Sequence, residues 1–209
     1  ATKRLLSNYA HAEATEGTAL TSWNGDGFVL GANNEVNYQN DTFVAWNWKA
    51  GGEPTATNSA GAGNTPTAGS VKIDGVNLGS ALAGTIPATR QSVNTISKFS
   101  ITTFEGNNTK GATIAHGLEI KPDLIIIKTL DVGTSWAVWF PNLQATNQLL
   151  ELNSTGATIT NTSDVNFYWN GTMPDVNVVT LGSYDGTNDN ASMLMYAFKN
   201  VEGYSKFGS

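Results

Sequence analysis

Apolar residues in this chain come in short runs, rich in β-branched and aromatic side chains and closed by Gly, Asn or Asp. That punctuation constrains the fold more than any other feature. It supports strands of four to eight residues and leaves almost no room for a 3.6-residue helical stripe. Strands are expected at residues 27–30, 42–48, 98–104, 113–116, 124–128, 137–140, 148–152, 166–169, 176–181 and 192–199. Turns are expected at Glu105-Gly106-Asn107-Asn108, Asn170-Gly171 and Asp185-Gly186. The expected class is all-β, an antiparallel β-sandwich. Residues 124–128, Leu-Ile-Ile-Ile-Lys, are apolar on both alternating faces and read as a central strand.

One stretch carries no such runs. Residues 51–70 hold no large apolar side chain. They cannot bury enough surface to offset their ordering entropy, so residues 51–95 read as a linker or extended arm, with a loosely held strand pair or a packed crossover in their second half.

The two sides of that linker resemble each other. Phe28-Val29-Leu30-Gly31 is followed by Phe43-Val44-Ala45-Trp46-Asn47-Trp48-Lys49. Near the C-terminus, Val179-Thr180-Leu181-Gly182 is followed by Met193-Leu194-Met195-Tyr196-Ala197-Phe198-Lys199. Leu5-Leu6 and Leu149-Leu150 stand upstream in the two stretches, and Ser97-Lys98-Phe99 returns as Ser205-Lys206-Phe207. The pattern divides the chain into the second half of one β repeat (1–50), the linker, a complete repeat (96–204) and the start of a third (205–209). A half repeat cannot close its own core and exposes sheet edges. Either the missing strands are therefore expected to belong to a separate chain or a lost segment, or residues 1–50 are expected to pack on the complete repeat or on a neighbouring subunit.

Charge and residue types exclude several functions. Charged residues make up 13% of the 209 residues, with a net charge of −6, against about 25% charged in ordinary domains. No basic footprint for nucleic acid is expected. No apolar run approaches the roughly 20 residues that span a bilayer, so no membrane insertion is expected. The chain has no cysteine and two histidines, His11 and His116. Thiolate chemistry and zinc–sulfur sites are excluded. His116, in Ala-His-Gly-Leu, reads as a turn histidine bonded to backbone, with Gly117 supplying an unusual backbone angle. Asp185-Gly-Thr-Asn-Asp-Asn190 lacks the bidentate Glu of a calcium loop and reads as an Asx turn. A polysaccharide depolymerase, the remaining alternative, would need two facing carboxylates, but Glu105, Glu119, Asp123, Asp131, Glu151, Asp164 and Asp175 are scattered in turns, and no nucleophile elbow, Walker loop or dinucleotide fingerprint occurs. No enzyme, cofactor or metal is expected.

Candidate binding residues are aromatic. Tyr168 and Trp169 beside Asn170-Gly171 read as an exposed platform on which a sugar ring could stack. Trp136 and Trp139, three apart, must face opposite sides of a strand, one inward and one outward. Trp139 joins Tyr168, Trp169 and Asn170 as the candidate ligand-binding set. Trp46 and Trp48 share a face and read as core or interface anchors.

Phe99-Ser-Ile-Thr-Thr-Phe-Glu-Gly-Asn107, Ala115-His-Gly-Leu118, Lys121-Pro-Asp-Leu-Ile-Ile-Ile-Lys128, Trp136-Ala-Val138, Tyr196-Ala-Phe198 and the ending from Val201 resemble a repeat domain of marine phage and cyanophage proteins. Residues 43–52 resemble the end of a preceding copy. The resemblance implies a tail-fibre or other virion appendage protein, in which such domains occur beside lectin-like, concanavalin-type jelly-roll sandwiches. It implies self-association or contact with other virion proteins, a homo-oligomer, a place in the extracellular particle, and host attachment through a surface glycan. It carries over no catalytic residue.

Overall fold

The computed structural model describes residues 2–59, 64–143 and 145–207. The expected start of a third repeat lies partly outside them, at residues 208–209. In chain order the elements are β1 (Lys3–Arg4), β2 (Ala14–Thr15), β3 (Leu20–Trp23), β4 (Phe28–Leu30), α1 (Asn34–Asn37), β5 (Val71–Ile73), β6 (Val76–Asn77), β7 (Ala88–Asn94) and β8 (Phe99–Glu105). There follow β9 (Thr113–Ala115), β10 (Leu124–Thr129), β11 (Ala137–Trp139), β12 (Gln148–Glu151), β13 (Ile159–Thr160), β14 (Val178–Thr180), α2 (Asp185–Asn188) and β15 (Ser192–Phe198). The protein is all-β, its two helices being single turns.

One sheet dominates, with strand order β13-β12-β11-β10-β15-β8-β7-β5-β6. β15 lies between β10 and β8 and pairs antiparallel with both. The register places Ile125, Ile127, Met193, Met195 and Trp139 on one face, where all are buried. The short β9–β14 pair adds Ile114 and Val179 to the same core. On the other face Leu194 and Phe198 are buried, while Ile126 and Tyr196 are only half-buried. β10 is therefore central in the sheet, but dry on one side only.

Three expectations are corrected. β5 pairs with β7 in parallel, so the sheet is not wholly antiparallel. Residues 166–169 form turns and not a strand, because Trp169 and Tyr168 must turn into the core. The expected loose stretch is pinned where it is described. Asn58 is buried, its N–H and Nδ2 donating to the Thr89 and Ala88 carbonyls at 2.8 and 3.2 Å, while its Oδ1 accepts from Thr67. Small polar residues thus hold this segment on β7 by hydrogen bonds, which no apolar periodicity signals. Residues 60–63 of that stretch lie outside the described residues.

Residues 2–50 behave differently. They form two hairpins, β1–β2 and β3–β4, and the turn α1, yet not one of these residues is buried. Residues 42–48, expected as a strand, are irregular and join no ladder. A strand needs neighbours on its edges, and none of the described segments supplies them here.

Candidate functional site

The candidate platform residues lie inside the fold. Trp169 is fully buried, and its Nε1 donates to the Gln148 carbonyl at 2.9 Å. Tyr168 is 6% exposed and packs edge-on against Tyr184, ring centroids 5.2 Å apart. Trp139 is 1% exposed in the main core. Asn170 occupies the left-handed region at φ +49° as a turn residue. None of the three rings presents a free face, so an exposed platform there is ruled out by packing. The expected outward-facing tryptophan is not found: both rings are buried, Trp136 at 5% exposure just ahead of β11. Trp139 fills the core, while Trp136 meets the N-terminal segment, its Nε1 donating to the Leu6 and Tyr9 carbonyls at 3.1 Å each.

His116 is fully buried. Its Nδ1 accepts from the Leu118 N–H at 3.2 Å, which leaves Nε2 to donate to the Asp175 carbonyl at 3.3 Å. Burial pushes its pKa down, only partly opposed by that carbonyl and by the charge of the Asp175 carboxylate. Gly117 beside it takes φ +73°. The residue ties the β9 end to the β14 entrance and faces no solvent. No group of three or more His, Asp or Glu able to hold a metal occurs among the described residues.

The exposed aromatics lie elsewhere. Trp46 and Trp48 stack at 6.5 Å and 22°, and they line a cleft of about 590 Å³ with Asn47, Tyr204, Lys206 and Phe207. Trp46 is 75% exposed. The cleft floor continues into the second face of the sheet. Trp48 meets Phe198 edge-on at 5.7 Å, Phe207 meets it at 5.0 Å, and Phe99 stacks on it at 4.8 Å. The sequence places Trp46 and Trp48 on one face as core or interface anchors; the structure leaves that face open.

A second geometry appears twice. After β4, Gly31 N–H donates to Ala19 O at 2.8 Å, Asn33 N–H to Thr18 O at 3.2 Å and Asn37 N–H to Asn33 O at 2.9 Å. Asn37 Nδ2 then reaches back to Gly31 O at 2.9 Å. After β14, Gly182 N–H donates to Tyr168 O at 2.9 Å, Tyr184 N–H to Phe167 O at 3.0 Å and Asn188 N–H to Tyr184 O at 2.9 Å. Asn188 Nδ2 reaches back to Gly182 O at 3.1 Å. A Cβ on Gly31 would fall on the Thr18 carbonyl, and one on Gly182 on the Phe167 carbonyl. The turns before β4 and β14 also match, Asn24 N–H to Gly27 O and Asp175 N–H to Val178 O. The two corners differ in burial, with Gly186, Thr187 and Asn188 buried in α2 and no residue buried in α1, and in surroundings: β4 pairs with β3 while β14 pairs with β9, and only α1 has a side-chain cap, Asn33 accepting from the Glu35 N–H.

A family model described as "Domain of unknown function (DUF7483)" matches residues 1–209. No curated protein and no solved structure matches the chain.

Proposed function

We propose, for a chain that belongs to the DUF7483 family, a non-enzymatic structural role: a tandem-repeat β-sandwich module of a phage tail fibre or related virion appendage, assembling with like modules and contacting the host surface. The observation that carries this reading is the corner built twice, Gly31 to Asn37 and Gly182 to Asn188, with the same donors and acceptors in each. Such a corner depends on a glycine where no Cβ fits and an asparagine six residues on, so its recurrence supports two stretches built to one plan. The contacts of the first copy with the second support docking between units. Trp136 is bonded to Leu6 and Tyr9, and Glu13 N–H to Leu130 O. Low charge keeps the desolvation cost of such faces small. Repetition along a fibre turns weak surface contacts into avidity.

Antibody raised against the chain and imaged by negative stain on intact particles tests the role. Label along an appendage supports it, label on the head makes it a capsid decoration, and unlabelled particles overturn it.

The open cleft supports a second reading, a carbohydrate-binding module using Trp46, Trp48 and Tyr204 in place of the buried rings. Paired indoles beside Asn47 are a stacking surface with a hydrogen-bonding neighbour. A glycan array probed with the chain and with Trp46→Ala separates the readings. Binding lost in the variant favours the module, and no binding by either favours the structural role alone.

A further inference from the structure

We infer that residues 43–49 are a β-strand without its sheet, and that its occupant is a polypeptide segment patterned like β8 through β11, which flanks it as β8 and β10 flank β15. The inference rests on the repeat reading above and adds to it a partner and a binding mode.

In the second copy, the strand that follows the corner is β15, the middle of the large sheet. Phe43 corresponds to Met193, Val44 to Leu194, Trp46 to Tyr196 and Trp48 to Phe198. Met193 is fully buried, and Leu194 and Phe198 are 5% and 7% exposed. Phe43, Val44 and Trp48 are 47%, 74% and 41% exposed. Apolar types match at these four positions, while Asn47 stands where Ala197 is buried, and the environments of Phe43, Val44 and Trp48 are the opposite of their counterparts. Both faces of residues 43–49 carry apolar groups, which is the pattern of a strand covered on two sides and paired on two edges. Among the described residues its backbone N–H groups between 42 and 48 enter no ladder. β15 owes its burial to Phe99, Thr102 and Phe104 on one side and Ile125 and Ile127 on the other. The first copy has its corner and its last strand but no counterpart of these two neighbours among the described residues.

A second copy of this chain is not the favoured occupant. Its β8 and β10 edges facing that slot are already taken by its own β15. The fitting partner is a stretch with the Phe-x-Ile-x-Thr-Phe pattern of β8 and the Leu-Ile-Ile-Ile run of β10 that lacks a strand between them. Main-chain pairing would supply affinity, and pockets for Val44, Trp46 and Trp48 would supply selectivity.

The test extends the full chain by placing a second copy of residues 97–147 ahead of Thr2 and follows amide exchange. In the unextended chain, residues 43–49 exchange freely at every concentration. In the extended chain their exchange slows by about 100-fold or more, and Trp46 emission shifts to the blue. Ala45→Pro in the extended chain removes that protection and spares Met193–Phe198. Free exchange at 43–49 in the extended chain, with β15 still protected, overturns the inference whether or not the added segment folds. Protection that rises with concentration in the unextended chain also overturns it, by giving the slot to a second copy. The repeat reading fails separately. A crystal structure in which residues 31–37 do not superpose on 182–188 removes both, whereas superposition with free exchange at 43–49 removes only the strand.

Discussion

Asn37 and Asn188 each fold their side-chain amide back onto the carbonyl of the glycine six residues earlier, Gly31 at 2.9 Å and Gly182 at 3.1 Å. The two differ in what else they hold. Asn188 also donates to Thr109 O at 3.1 Å, and its Oδ1 accepts the Asn107 N–H at 3.0 Å. It is fully buried, whereas Asn37 makes an exposed bond.

That contrast sets the first expectation. Asn188→Ala strands several buried partners and costs about 3 kcal/mol, while Asn37→Ala costs under about 1 kcal/mol. Denaturant unfolding measures both. Equal losses would mean that the corner, and not its burial, sets the cost.

Trp169 is a core residue, so Trp169→Ala lowers stability by about 3–5 kcal/mol. Any surface binding retained by the folded fraction stays unchanged. Thermal unfolding run alongside a binding assay checks this. Full stability in the variant would return Trp169 to the surface.

His116 has its folded pKa pushed below the ordinary 6.5 by burial. The unfolded chain then binds the proton first as pH falls. Stability is full above 6.5 and is lost as pH drops from there toward the folded value. Unfolding free energy between pH 7.5 and 5 declines accordingly, and His116→Gln flattens the slope. A level profile in the parent chain would contradict the neutral, buried ring.

Lys128 is fully buried on the second sheet face, with Nζ donating to the Thr129 and Val132 carbonyls at 2.7 and 3.4 Å. Burial pushes its pKa below 10.5. A lysine with a lowered folded pKa penalises the fold while charged, so stability rises with pH as the folded lysine deprotonates. Lys128→Met removes that alkaline gain. The Tyr184 phenol, pushed up to about 12 by burial, acts in the opposite sense above pH 10. Stability measured from pH 7 to 10 isolates the lysine, and an identical rise in the variant would refute its role.

Local chemistry determined much of this protein from sequence alone. Short β-branched runs closed by Gly and Asn made it all-β, and nearly every expected strand after residue 96 is present because its apolar period had a core to face. The corner common to Gly31–Asn37 and Gly182–Asn188 was legible because a glycine under a carbonyl and an asparagine reaching back leave their letters in fixed places. Which aromatic rings face water was not legible. Trp169 and Trp46 sit in equally turn-rich, Asn-flanked surroundings, yet one is buried and the other is 75% exposed. The difference lies in neighbours distant in sequence: Trp169 is bonded to Gln148 of β12 and belongs to the main core, and no described strand closes over Trp46. Burial is a property of the whole packing arrangement, and period-2 patterning records only which residues share a face, not whether anything lies across it.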